Sequence, residues 1–433
     1  MTIRRAILAA LLVAAVVLMA VVISWEPATR APAGPSTGLK IVVIGVDGLD
    51  WFLMRKLLEE GTLPSIASLL RRGLTGELAP ALPAIPEVGW TVVARGRGLT
   101  ENERARLAGA DGRLFGLAPE LGKLVAQSGG TALSVGWPAS WPVGESEGLV
   151  VAPYRPETLI HETGLPAAIL SGDALSCSDE LVARVADAVA RSEVLCEDEF
   201  RRLIFDGGAG DSGWSEHLLA ARWAFLSDLT TIDVAASLMA DEEPDLTMVC
   251  FGGLDAIGHR FLAPAMPSFF PNMPPEYERY GNVLTNYFVF IDSCVERLRR
   301  LTDENAVFVI CSTYGTHPSF DIPAISGSHS SGPPGVLILR GSNIAQRQRA
   351  LALTGEDVAP TVLALLGLAI PTDMDGRVVQ EALPVELLRN HPLAYSGEIR
   401  PEGIDPRPSD VAALNALVSE RLKTLRAAMS RNE

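Results

Sequence analysis

Asp255 and His259 stand four residues apart, directly after the apolar run Leu246 to Cys250. On a helix that spacing turns a carboxylate and an imidazole toward one point, an arrangement that suits a divalent cation. The pair reads equally well as a strand-end aspartate capping a helix, beside a hydrogen-bonded histidine. Asp47 ends a second apolar run, Lys40 to Val46, and has the same alternative as an N-cap. His329, in Gly327-Ser328-His329-Ser330, says little by itself. Order and context raise all four as candidates.

The elements that must position these residues follow from the patterning. Lys40 to Val46 is apolar without alternation, which marks a parallel strand buried on both faces. Gly130 to Gly136, Leu246 to Cys250, Ala306 to Cys311 and Gly335 to Leu339 repeat that pattern, with helical spacing between them. Strands alternating with helices predict an α/β fold: a doubly wound, mostly parallel sheet with helices on both faces. Ligands of such sheets sit at the carboxyl ends of the strands, where Asp47, Asp255 and Ser312-Thr313-Tyr314 all fall. The polar stretch 149–230 is expected to be a cap or insertion beside a main domain of residues 40–395. Residues 396–433 are expected to form a tail, with an amphipathic helix from Ser409 to Met429.

The motifs, taken in order, resemble the type I phosphodiesterase/nucleotide pyrophosphatase branch of the alkaline phosphatase superfamily. The resemblance runs through Ile44-Gly45-Val46-Asp47-Gly48, Leu63-Pro64-Ser65-Ile66 and Leu69 to Gly76, then Gly89-Trp90-Thr91 and Gly136-Trp137-Pro138 to Pro142. It resumes at Pro244 to His259, Gly327-Ser328-His329, Gly335 to Leu339, and Asp357 to Thr361 with Met374 to Arg377. The resemblance implies an alkaline-phosphatase-like fold and two metal ions, usually zinc, that clamp an in-line phosphoryl displacement. It also implies a Thr or Ser nucleophile that becomes phosphorylated. One metal would take Asp255, His259 and His329, all present. The other would take Asp47, the nucleophile and an Asp-His pair.

That second half is missing. Ungapped counting places Pro86 at the nucleophile position and Thr313 and Tyr314 at the Asp-His pair. Proline has no hydroxyl to attack phosphorus, although it suits the first turn of a helix. Thr and Tyr are poor zinc ligands at neutral pH. Asp47 is left alone on that side, with Glu87 and His317 as the nearby rescue candidates. Two readings follow. The loss of three elements of one subsite favours a pseudoenzyme that binds a small phosphoester or a protein ligand, with at most one zinc. The surviving three donors also match an open hydrolytic site, in which one zinc-bound hydroxide would act without a phospho-enzyme.

Arg4 and Arg5 precede 20 uncharged residues, Ala6 to Trp25. A helix of that length spans about 30 Å, the thickness of a bilayer core. Residues 1–25 are therefore expected to be a signal-anchor, with everything after Trp25 outside the cytoplasm; cleavage after secretion is the alternative. Residues 26–39 read as a linker. With 52 acidic and 36 basic residues the formal charge is −16, which argues against nucleic acid as a partner. Cys177 and Cys196 are a candidate disulfide pair, whereas Cys250 and Cys311 are expected to be buried thiols.

Overall fold

A computed structural model describes residues 34–107, 120–138, 149–151, 175–176, 179–206, 216–322, 325–330, 332–342, 344–345 and 350–396. The expected anchor, the first part of the linker, Cys177 and the tail beyond Ser396 lie outside the described residues. Among those described, no helix is long and apolar enough to cross a membrane.

The strands of the main sheet and of the hairpin beside the site are β1 (Ile41–Val46), β2 (Leu74–Ala79), β3 (Ala132–Val135), β4 (Leu149–Val151), β5 (Leu175–Ser176), β6 (Leu246–Phe251), β7 (Val307–Cys311), β8 (His317–Ile322), β9 (Ile325–Ser328), β10 (Gly335–Arg340) and β11 (Leu351–Thr354). Nine of them form one sheet in the order β11-β2-β10-β7-β1-β6-β3-β4-β5. Strand β10 runs antiparallel to both β7 and β2, and β5 runs antiparallel to β4. The other pairings in the sheet are parallel.

The unbroken apolar strands are explained by the two layers they divide. Val42, Ile44 and Val46 of β1 enter one core cluster, while Ile41 and Val43 enter the other. Strand β6 divides likewise, with Val249 and Phe251 on one face and Leu246, Met248 and Cys250 on the other. Side chains alternate along a strand, so apolar residues at every position require apolar neighbours on both faces. Helices Trp51–Glu59, Gly253–Ala265 and Val283–Arg300 contribute to the first layer, and helices Pro86–Arg95 and Val358–Leu366 to the second. The expected doubly wound, mostly parallel α/β sheet with helices on both faces is observed.

Within 149–230 the described residues include β4, β5, helix Asp179–Leu203 and most of helix Glu216–Glu242. Val185, Val189, Phe200 and Phe225 of these helices belong to the first core cluster. These residues are therefore packed into the first layer. The last linker residues are also docked. The Ser36 amide donates to Leu366 O at 3.0 Å and the Thr37 hydroxyl to Leu365 O at 2.7 Å. Cys250 and Cys311 are buried, and burial pushes the Cys311 thiol up to about 12.

Candidate metal centre

Three adjacent strands deliver the site. Strand β1 lies between β6 and β7, and all three are parallel, so Asp47, the Gly252–Asp255 turn and Ser312-Thr313-Tyr314 leave the sheet at one edge. Gly48 after β1 has φ +73°, and a Cβ there would lie 2.8 Å from the Asp255 Cα. Only glycine allows both that backbone conformation and that approach.

Asp255 lies in the first turn of helix Gly253–Ala265, whose N-cap is Gly252. It does not cap the helix: its Oδ1 is buried without a hydrogen-bond partner. Its Oδ2 instead faces two imidazoles, 3.4 Å from His259 Nε2 and 3.9 Å from His329 Nε2. One donor atom from each of the three residues falls within 4.8 Å of the others. Among the described residues no other group of three His, Cys, Asp or Glu donors converges in this way.

His259 is oriented from behind. Its Nδ1 lies 2.7 Å from the Gly327 carbonyl of β9, which places the proton on Nδ1 and leaves the Nε2 lone pair facing Asp255. Burial opposes protonation of His259, yet Asp255 and the Gly327 carbonyl outweigh it and hold the pKa above the usual imidazole value. For His329 burial wins and lowers the pKa, with Asp255 offsetting only part of the effect. Two nitrogens and a carboxylate of this kind fit a zinc ion with an open fourth position. The partnerless Asp255 Oδ1 is the atom that such a cation would relieve.

The other half of the expected site is filled differently. Asp47 is buried and accepts a hydrogen bond from Trp90 Nε1 at 3.1 Å; the N-cap of helix Trp51–Glu59 is Asp50. Trp90 is held by Trp137, which meets it edge-on at 5.2 Å and donates to its carbonyl at 3.1 Å. Such an aromatic pair is worth about 0.5–1.5 kcal/mol beyond its burial. Pro86 is the first residue of helix Pro86–Arg95, following Ile85 as N-cap. Thr313 packs under that helix, where a Cβ on Gly89 would come within 2.5 Å of its Oγ1.

Tyr314 is fully buried, and its ring stacks on His329 at 4.3 Å with 20° between planes. The Ser312 hydroxyl donates to the Tyr314 carbonyl at 2.8 Å and fixes the turn. Burial first, then the charges of Asp47 and Asp255, push the Tyr314 phenol well above its usual pKa. Glu87 also contributes to that field. A neutral phenol therefore stands among carboxylates at this strand end.

Glu87 and His317 do not join the three converging donors. His317 begins β8 opposite Ser328, with Nδ1 2.9 Å from its neighbour's carbonyl and Nε2 buried without a hydrogen-bond partner.

Asp228 carries no signal in the sequence. Buried in helix Glu216–Glu242, it accepts from the Gly252 amide (3.1 Å), the Gly253 amide (3.0 Å) and the Tyr287 hydroxyl (2.9 Å). It thereby pins the turn that launches the Asp255 helix. Burial pushes its pKa up to about 7 even with three donors pulling it down.

No family model and no curated protein matches the chain. Solved structures that resemble it include a putative sulfatase from Bacteroides thetaiotaomicron, at 13% identity and TM-score 0.47 over 85% of this chain and 76% of that one. Human ectonucleotide pyrophosphatase/phosphodiesterase 5 resembles it at 10% identity and TM-score 0.47, over 79% of this chain and 99% of that one. A phosphonate monoester hydrolase from Silicibacter pomeroyi does so at 11% identity and TM-score 0.43, over 80% and 78%. Likenesses of this distance assign no activity, which leaves the reading to the site itself.

Proposed function

We propose that the chain is a membrane-anchored, extracytoplasmic member of the alkaline phosphatase superfamily, a degenerate relative of the type I phosphodiesterases. In this reading it binds one zinc ion through Asp255, His259 and His329, takes an anionic ester as ligand, and forms no phosphorylated intermediate. It is a pseudoenzyme in this reading: it binds the ester and does not turn it over. The observation that carries this is the Tyr314 ring stacked on His329, with its phenol beside Asp47. A second ion would need anionic or imidazole donors to join Asp47, and positions 86, 313 and 314 supply a proline and two neutral hydroxyls.

A bound zinc would supply Lewis acidity and could acidify a water in its fourth position. The chain's own contribution is to hold the donors. Asp228 fixes the turn, Gly327 sets the His259 tautomer, and Trp90 occupies Asp47. A second reading, a one-metal phosphoester hydrolase, is favoured by the free Asp255 Oδ1 and the three-donor count.

Turnover separates the two. With zinc loaded, the pseudoenzyme reading expects no hydrolysis of phosphomonoesters, phosphodiesters or sulfate esters. Hydrolysis lost in His259→Ala but retained in Asp47→Ala would replace it with the one-metal hydrolase. The anchor is tested by carbonate extraction and protease shaving: a domain released by carbonate, or protected in intact spheroplasts, contradicts it.

A further inference from the structure

A cavity of about 630 Å³ lies at the far end of the helix that carries Asp255 and His259. Its walls include His217, Arg260, Phe270, Met273, Tyr277 and Phe320. The volume lies within the range of small-molecule sites, about 300–1,000 Å³. Three aromatic rings, a methionine and several prolines make it predominantly apolar, with a few polar groups at fixed places.

The cavity shares its frame with the three donors. Ala263, on its wall, stands one helical turn beyond His259, a rise of about 6 Å. Ser326, also on its wall, accepts from the Ala263 amide at 3.0 Å and immediately precedes Gly327, whose carbonyl orients His259. One helix and the β8–β9 pair thus wall both places. Arg260 lines the cavity and follows His259 in the chain, and its charge is felt at that imidazole. Its guanidinium makes one long bond, from Nη1 to Ala256 O at 3.4 Å. In a chain of net charge −16, a cation at this position favours an anion at its side. The Phe320 ring is 71% exposed and tilts against Phe270 at 5.1 Å. Exposed aromatic area next to a concave apolar wall gains free energy when a ligand covers it.

We propose that this cavity receives the hydrophobic alcohol portion of the ester ligand, with the anionic head at Asp255, His259 and His329 and Arg260 facing the charge between them. The ligand class is then an anionic ester of an apolar aryl or alkyl alcohol, rather than of a sugar or another polar alcohol. This rests on the reading that an anion binds at the zinc site.

The test uses the full chain reconstituted in lipid nanodiscs, loaded with one zinc, and titrated calorimetrically with methylphosphonate, benzylphosphonate and butylphosphonate. The expected result is binding of all three, with benzyl or butyl tighter than methyl by about tenfold or more, as burial of one such group implies. Whichever of the two gains more identifies the aryl or alkyl source. In a Phe270→Ala/Phe320→Ala variant that keeps its zinc and melting temperature, the advantage should shrink to within about twofold while methylphosphonate is unchanged. Equal binding of the three probes, or an advantage that survives the double variant, overturns the cavity assignment alone. Failure of methylphosphonate to bind the zinc-loaded protein overturns the anion reading beneath it.

Discussion

The Tyr314 ring lies on the His329 imidazole, centroids 4.3 Å apart, and its buried hydroxyl has no hydrogen-bond partner. The contact joins the three converging donors to the Asp47 side of the sheet edge. It orients a histidine on one side and supplies an uncharged filler on the other. Restoring the second half of the site therefore means removing the tyrosine as well as adding ligands.

The first prediction follows. Pro86→Thr/Thr313→Asp/Tyr314→His should bind two zinc ions, measured by metal analysis after dialysis. Asp47 would then have a carboxylate, an imidazole and a hydroxyl beside it. A well-folded triple variant that still binds one zinc would show that positions 86, 313 and 314 are not those of the nucleophile and the lost ligands.

The second prediction concerns pH and zinc. Asp255 and the Gly327 carbonyl raise the His259 pKa against burial, so protons compete with the metal up to higher pH than at a free imidazole. Apparent zinc affinity should fall as the pH is lowered from about 8 to about 5, through the titration of this residue. Competition titrations with a chromophoric chelator, using its own pH-corrected constants, read this directly. A flat profile across that window would mean that His259 does not ligate.

The third prediction concerns Asp228. Its folded pKa, about 7, lies above the unfolded value, so the folded state holds the extra proton in the window between them. This group's contribution to stability is therefore fully present below the unfolded pKa and is lost as pH rises from about 4 to about 7. Asp228→Asn should flatten that part of the stability curve. It should also cost about 1–3 kcal/mol, because an amide cannot accept from the Gly252 amide on one side and from Gly253 and Tyr287 on the other. Urea melts at several pH values decide this; an unchanged slope would place the titration elsewhere.

The sequence made some of this legible and hid the rest, for physical reasons. Strands β1, β3, β6, β7 and β10 are dominated by apolar residues because most of their side chains meet a packed layer, with Ser134 and Thr247 as buried polar members of β3 and β6, and each was readable. Strand β2 was not. Its burial alternates along Leu74–Ala79, and Gly76 and Glu77 interrupt its composition. Strand β4 is three residues long, and too short for any period to show. Asp255 and His259 were visible as a local i, i+4 pair, whereas His329 had only its motif, because tertiary structure alone brings it to them. Asp228 could not be found at all. It sits in the middle of a helix, separated from the Gly252–Gly253 turn by the rest of that helix and a strand, and nothing local distinguishes it from a surface aspartate. The N-cap alternative for Asp47 fell to a neighbour, Asp50, three residues on.

The fourth prediction measures what zinc does for the fold. Ligands that bind only the native state raise its stability by about 2.7 kcal/mol at a hundredfold excess over Kd. Added zinc should therefore raise the melting temperature of the wild-type chain and of Asp47→Ala alike, and leave His329→Ala unmoved. A zinc shift that disappears in Asp47→Ala would place the ion on the wrong half of the site.

One metal per chain is tested most directly by a count. Zinc measured by inductively coupled plasma mass spectrometry on the purified, dialysed protein should come to one equivalent, falling to near zero in His259→Ala. Two equivalents in the wild-type chain, or one that persists in His259→Ala, would contradict it.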